Sequence, residues 1–431
     1  MYMLEILSIN QKSDKLESII NRTNLPTVET TKSVEKILLN VKENGDEAVR
    51  QYSLIYDEVK LKDFEVSEEE FNEALEQTDE KLVTALAEAK KNIERYHEKQ
   101  LQDGYKINDK NSYVQQLIHP IERVGVYIPA GKAAYPSTVL MNVIPAKIAG
   151  VKEIVIITPP NKEGKIKPSI LVAAKLAGVS KVYKVGGAQA IGALAYGTET
   201  IEKVDKIVGP GNLYVALAKK SVSGIVGIDM VAGPTEVVIL ADETANPRFI
   251  AADLMAQAEH DEMASSIVIT NSEEFALKIQ QQIPNLLEEQ PRKEIIKSSF
   301  EQYGAILVVK TIEEGIELVN KLAPEHLEIM IKNPESIVHH IKNAGAIFLG
   351  DYTPEPVGDY FAGTNHTLPT SGTARFTSPL NVNDFQKKTS VVYYNKKALN
   401  EARKHIEVIA EEEGLFGHGK AISIRFEEDS K

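Results

Sequence analysis

Four of the nine histidines stand where several polar groups gather within a few residues. His260 closes the run FIAADLMAQAEH, three residues after Gln257. His326 lies in APEHLEI, held by Pro324 and flanked by Glu325. His366 lies in VGDYFAGTNHTLPTSG, a stretch that also carries Asp359 and is too rich in Gly, Thr and Pro to fill a core. His418 follows Glu411, Glu412 and Glu413 in EEEGLFGHG. One such histidine is ordinarily structural; four together, with Asp359, Glu325 and Glu413 close by in sequence, point to a site. A Gln, two His and an Asp would make a borderline-soft oxygen and nitrogen donor set that suits zinc, with an i, i+3 pair supplying two ligands from one rigid element. His97, His119, His339, His340 and His405 sit in charged or exposed contexts and are assigned no role.

These residues need elements to hold them. Asn246 is suited to N-cap a helix and Pro247 to begin it, which sets the register of the following run. In that register Gln257 and His260 are surface neighbours, and Gln257 continues the stripe of Ile250 and Leu254. In the tail, Gly414 suits the C′ position of a helix ending in three glutamates, whose charge opposes the macrodipole there. A solvated acidic end explains this; so does a nearby metal ion or ligand ammonium.

From Val124 onward, short β-branched runs (VGVYIP, EIVIITPP, KVYKVGG, KIVGPG, EVVILAD, SSIVITNS, GAILVV, AGAIFLG) alternate with Ala-rich helical segments. The alternation argues for parallel sheets covered by helices. AKIAGV begins at Ala146 and AKLAGV at Ala174, 28 residues later, which is about one strand-helix period. The expected class is α/β: two Rossmann-like lobes with parallel sheets, plus small N-terminal and C-terminal segments. The expected boundaries are an arm over 1–25, a first lobe from 26–123 and 235–380, a second lobe over 124–234, and a tail over 381–431. VGVYIPAG, KVGGAQAIG and KIVGPGN place glycines where a strand gives way to a helix, the edge that lines the ligand crevice in an open α/β sheet. None is GxGxxG, and PAGKAAYPS lacks the Walker spacing.

Composition narrows the function. A chain of 431 residues, 43% hydrophobic and 26% charged, is long enough for two or more globular units. A formal net charge of −13 and the lack of a basic run argue against nucleic acid. No apolar run approaches membrane length and MYMLEILSINQKSDK lacks a signal-peptide layout, so a cytoplasmic protein is expected. Zero cysteines remove a thiolate nucleophile, Cys-ligated zinc and iron-sulfur clusters. A zinc hydrolase activating a bound water and a two-lobed, non-catalytic binding protein remain as rival readings.

GGAQAIGALAYGT, GPGNLYV, AGPTEVVILAD, DLMAQAEHD, APEHLE, GDYFAGTNHTLPT and EGLFGH, in this order, resemble the histidinol dehydrogenase family over nearly the whole chain. The resemblance implies oxidation of L-histidinol to L-histidine through histidinal with two NAD+ in succession, the last step of histidine biosynthesis. It also implies zinc held by Gln257, His260, Asp359 and His418 and gripping the substrate's amino and imidazole nitrogens. His326 would be the general base and Glu325 would activate water. Thr235, His366 and Glu413 would join Glu325, His326 and the zinc ligands in contacting substrate, while Tyr127, Gln189 and Asn212 would contact NAD. The family further implies an intertwined homodimer whose tails complete each other's sites, and the Pro- and Asn-containing link TSPLNVNDF would let the tail pack away from its own body. Two positions depart from the family pattern. Thr235 stands where Ser is expected, keeping the hydroxyl and adding a methyl. Ala130 stands where Gly is usual, which is tolerable unless φ is positive there.

Overall fold

The computed structural model describes residues 4–9, 14–20, 27–130 and 134–427. Residues 131–133 of the PAGKAAYPS turn and much of the expected arm 1–25 lie outside these. In chain order the strands are β1 (Ile6–Ser8), β2 (Tyr105–Asn108), β3 (Ser112–Pro120), β4 (Arg123–Tyr127), β5 (Glu153–Thr158), β6 (Lys181–Lys184), β7 (Lys206–Val208), β8 (Gly227–Ile228), β9 (Glu236–Ala241), β10 (Ser265–Thr270), β11 (Ala305–Val308), β12 (His326–Met330), β13 (Ala346–Leu349) and β14 (Gln386–Tyr394). The chain divides into two units, residues 1–100 with 121–385, and residues 101–120 with 386–431.

The larger unit holds two wholly parallel sheets. One has the order β6-β5-β4-β7-β8, the other β1-β11-β10-β9-β12-β13. In each, the run of strand–helix units starts at a central strand (β4 or β9), adds two strands to one side, then crosses back to the other, and β1 borders β11 at the edge of the six-stranded sheet. The direction of winding therefore reverses between β4 and β7 and again between β9 and β12. Strands with helices on both faces must be apolar throughout; SSIVIT of β10 is buried at every position. The repeated AKxAGV segments each close a helix, at Gly150 (φ 92°) and Gly178 (φ 75°), before β5 and β6 begin. The expected α/β class with two parallel sheets is what the chain forms.

Three boundaries differ from expectation. Residues 28–97, assigned from sequence to the lobe containing 235–380, instead cover the five-stranded sheet. Val34, Leu38 and Val41 share a buried cluster with Ile191 and Leu194, and Ala89 and Ile93 share another with Met141 and Ile144. The reason is surface fit: the Ala- and Gly-rich helix Gly187–Tyr196 offers a smooth face on which the larger stripe of Val28–Tyr56 packs. The segment 101–120, also assigned to that lobe, pairs antiparallel with β14 in the second unit, in the order β14-β3-β2. Residues Ile6–Ser8 of the expected arm join the six-stranded sheet beside β11.

The link TSPLNVNDF is anchored. Leu380, Val382 and Phe385 are buried in the core beside Val124 and Val126, so any change of direction lies at the boundary after Phe385. His97, expected in an exposed context, is fully buried; its Nδ1 lies 2.9 Å from the carbonyl of Ile93 and its Nε2 lies 3.4 Å from the Asn365 amide.

Candidate active site

The polar residues of the six-stranded sheet gather at the amino ends of β9 and β12, beside the crossing point. APEHLEI, not anticipated as a strand, supplies β12, and His326 is its first residue, opposite Val237. The preceding helix Ile312–Leu322 stops at Ala323, a non-glycine residue at φ 52°. Pro324 then cannot continue a helix, and the chain turns into the sheet. Gly345 and Ala346 donate backbone hydrogen bonds to the carbonyls of Pro324 and Glu325, each at 2.9 Å. A Cβ on Gly345 would lie 2.5 Å from the Glu325 carbonyl oxygen, so only glycine permits this grip.

The Glu325 carboxylate is held from below. Its Oε2 accepts from the Glu236 N–H at 2.9 Å and lies 2.5 Å from the Thr235 hydroxyl. Gln257 satisfies both ends of its amide with Nε2 toward Glu355 (2.5 and 2.7 Å) and Oε1 toward the Glu236 N–H (2.9 Å) and Thr235 hydroxyl (2.6 Å). Thr235 has one proton for two neighbours, so its direction follows the ionisation of Glu325. The added methyl does not prevent these contacts.

His326 is 3% exposed. Its Nδ1 lies 3.2 Å from the Glu236 carbonyl and 3.7 Å from Glu325 Oε2. With Nδ1–H donated to that carbonyl, Nε2 is the face available for chemistry. Nε2 is buried without a hydrogen-bond partner, 3.6 Å from Asp359 Oδ1 and 3.9 Å from Glu355 Oε1. Donor atoms of His326, Glu355 and Asp359 lie within 4.8 Å of one another, close enough to hold a metal ion. This trio shares only Asp359 with the expected zinc set.

Burial and mutual charge set the protonation. Burial raises Glu325, against the lowering pull of His326, Thr235 and the Glu236 N–H. Burial also pushes Glu355 up to about 8. Burial disfavours the His326 imidazolium, yet the carboxylates of Glu355, Glu325 and Asp359 outweigh it and hold His326 well above the usual value. Asp359 would rise on burial too, but the imidazoles of His326, His366 and His260 keep it below the ordinary carboxylate range. His260 and His366 are lowered by burial, which keeps each imidazole neutral.

The helix Pro247–Ala258 ends before His260, whose N–H bonds the Gln257 carbonyl at 3.3 Å and so carries the i, i+3 relation into the next turn. Asn246 caps that helix as expected, accepting from the Arg248 N–H. Gln257 is fully buried. His366 bridges lobes, with Nδ1 3.1 Å from the Asp359 carbonyl and Nε2 3.1 Å from the Thr138 hydroxyl. Glu413 and His418 belong to the second unit, at the end of the helix Lys396–Glu412 and on the helix Phe416–Ser423, and both are exposed. Gly414 takes φ 68°, matching its expected C′ role.

Sequence reading missed Glu355 and, behind it, Glu328, whose carboxylate accepts the Glu355 N–H at 2.8 Å. One signal was available: Pro354–Glu355 repeats the Pro324–Glu325 pairing. Glu328 sits inside a strand with nothing in its neighbourhood to mark it.

The residues expected to meet NAD follow strands of the five-stranded sheet at their carboxyl ends: Tyr127 at the end of β4, Gln189 on the helix after β6 and Asn212 in the turn after β7. Tyr127 closes β4; its hydroxyl accepts the Gly187 N–H at 3.2 Å, and burial pushes its pKa up to about 12. Gln189 is 1% exposed and neither end of its amide has a partner. Asn212 N-caps the helix Leu213–Val222, accepting from the Val215 N–H at 3.2 Å. Ala130 does not adopt a positive φ, so the missing glycine costs nothing in backbone strain.

The family model of histidinol dehydrogenase matches residues 20–426. A histidinol dehydrogenase of Clostridium acetobutylicum is 54% identical over 411 residues, covering 95% of both chains. One from Bacillus cereus is 56% identical over 411 residues, covering 95% of this chain and 96% of its own. The crystal structure of histidinol dehydrogenase from Elizabethkingia anophelis superposes with a TM-score of 0.94 at 39% identity, covering 100% of each chain. The Glu325–His326 pair, the Thr235 and Glu236 contacts beneath it and the fold that carries them are thus those of a chain belonging to the histidinol dehydrogenase family.

Proposed function

We propose that this chain oxidises L-histidinol to L-histidine through histidinal, reducing two NAD+ at one site, as the last step of histidine biosynthesis in the cytoplasm. The observation that carries this reading is the buried Glu325–His326 pair, in which a supported carboxylate and an imidazole with an unpartnered Nε2 lie side by side in a chain of this family. Among the described residues no helix is long and apolar enough to cross a membrane.

The donor set fits zinc. Amide oxygen, imidazole nitrogen and carboxylate oxygen suit a borderline-soft ion, and a divalent cation among the carboxyl groups of Glu355, Glu325 and Asp359 would offset the charge that raises His326, leaving its Nε2 free to act as a base. His260 and Asp359 would hold it with His418 of a partner tail, and Gln257 would join them with its amide turned the other way, Nε2 donating to the Thr235 hydroxyl and Oε1 left for the ion. The unpartnered Gln189 amide, between Tyr127 and the glycine turns, fits a polar cofactor such as NAD. When bound, the metal ion would anchor the substrate through its nitrogens and NAD+ would supply the hydride acceptor.

The chain's own residues move the protons. In the first oxidation His326 Nε2 takes the hydroxyl proton as hydride leaves the same carbon. Glu325 then removes a proton from water as its oxygen bonds to the aldehyde carbon, a step for which a raised carboxylate pKa is suited, while His326 Nε2 returns its proton to the former aldehyde oxygen to give the hydrate and Glu325 passes its own proton to solvent. His326 takes the hydroxyl proton of the hydrate as the second hydride leaves. Thr235 and the Glu236 N–H keep Glu325 aimed; His366 and Glu413 orient the substrate. Without cysteine there is no thiohemiacetal, so hydration is required.

The test is stoichiometry. Each histidinol consumed in the presence of NAD+ should yield two NADH and one histidine, read by absorbance and amino-acid analysis. One NADH with free histidinal accumulating, or no NADH at all, rejects the reading.

A further inference from the structure

Away from the catalytic cluster, Lys219 and Asp229 form an ion pair whose side chains are 2% and 1% exposed. Both also hold the same residue. Lys219 Nζ donates to the Gly209 carbonyl at 2.8 Å, and Asp229 Oδ2 accepts the Gly209 N–H at 2.8 Å. Each polar group of one glycine is therefore bound by one end of a buried salt bridge. Gly209 itself is at φ 107°, and a Cβ there would lie 2.1 Å from the Tyr127 carbonyl oxygen. No other residue fits, and the peptide is pressed against the end of β4.

The location matters. Gly209 is the first residue after β7 and opens the turn GPGN into the helix Leu213–Val222. Lys219 reaches back from that helix, and Asp229 is the first residue after β8, the neighbouring strand. Strand end, helix and adjacent strand are thereby locked at one peptide, at the carboxyl edge where the winding of the sheet reverses. Ligands of open α/β sheets sit at such an edge. A buried ion pair is a poor means of adding stability, because desolvating two charges offsets most of their attraction and apolar replacements are often neutral. What it adds here is a fixed orientation for the Gly209 peptide, which apolar packing cannot impose.

We propose that Lys219 and Asp229 are positioning residues for the dinucleotide: they set the turn 209–212, and with it Asn212, against Tyr127 in the geometry that NAD+ requires. The inference rests on the proposed NAD-dependent activity and concerns residues that do not touch the reacting atoms. A displaced turn weakens cofactor binding while leaving the Glu325–His326 cluster in place.

Lys219→Met/Asp229→Leu removes both charges together and leaves neither unpaired. Because a misplacement of about 1 Å can cost a factor of 10², its KM for NAD+ should rise about tenfold or more, with KM for histidinol within about twofold and a melting temperature near that of the parent. An unchanged KM for NAD+ overturns the proposal. So does a parallel rise in both KM values, the mark of a general structural defect. NADH binding, followed by its fluorescence with no histidinol present, reads the same effect independently of turnover. If the parent binds NADH but fails to oxidise histidinol, the activity assignment falls while the comparison of NADH affinities still decides the clamp. If the double variant does not fold, Asp229→Asn, which keeps an acceptor for Gly209 but loses the charge, is measured by the same titration, and unaltered NADH affinity overturns the proposal.

Discussion

Glu325 and His326 are adjacent in sequence yet their environments differ, as the duties proposed for them require. Glu325 is braced by Thr235 and the Glu236 N–H, while His326 turns Nδ1 to a carbonyl and leaves Nε2 facing Asp359 and Glu355. A residue that activates water enters only the aldehyde half of the reaction. Glu325→Gln keeps the acceptor for Glu236 and cannot take a proton. It should slow NAD+-dependent oxidation of histidinal by about 10²-fold or more, with much less effect on NADH-dependent reduction of histidinal, the reverse of the first step. His326→Asn should slow both. Equal losses in the two half-reactions for both variants would reject this division of roles.

Elements bring these groups together by ending in particular ways. The helix Ile312–Leu322 stops at Ala323 and releases Glu325 and His326 into β12; the helix Pro247–Ala258 stops short of His260. The helix Val28–Tyr56 ends less comfortably. Asp57 lies at its C-terminus, where a carboxylate opposes the macrodipole, and Oδ2 is buried without a partner. Burial raises Asp57 from the ordinary 3.8 to about 6. The folded chain thus binds this proton more tightly than the unfolded chain does, so the residue is easiest to accommodate below pH 3.8 and its cost grows as pH rises through about 6. Asp57→Asn should stabilise the protein by about 1–2 kcal/mol near pH 8, after allowance for partial exposure, and by almost nothing near pH 3.5. Urea melts at the two pH values check this; an equal effect at both would contradict it.

At the scale of the whole molecule, the larger unit carries Gln257, His260 and Asp359 and the smaller one carries Glu413 and His418. Val392, Tyr394, Val408, Ile409 and Phe416 of the smaller unit are apolar side chains between 47% and 72% exposed, surface that a partner chain would cover. This supports the proposed homodimer in which tails serve partner sites. Two inactive variants, His260→Ala and His418→Ala, refolded together should regain activity if tails act in trans, since one site of each mixed dimer is then intact. No recovery, with mixed dimers verified by mass spectrometry, would exclude sharing and leave the ligand set standing.

Periodicity made the parallel sheets legible, because β-branched runs alternating with Ala-rich helices have few other ways to bury their apolar faces, and the caps at Asn246 and Gly414 were local chemistry that could be read directly. Motif order carried the family and the expected site residues. The partners of the helices 28–97 were not legible: an amphipathic stripe specifies that a face is buried but not against which sheet, and shape decided for the smooth helix Gly187–Tyr196. APEHLEI hid a strand because Glu325 and His326 interrupt the apolar pattern by which strands are recognised. Glu355 left only the repeated Pro–Glu pairing, and Glu328, Lys219 and Asp229 left no mark at all, since a buried charge looks like a surface one until its partners, distant in sequence, are folded against it.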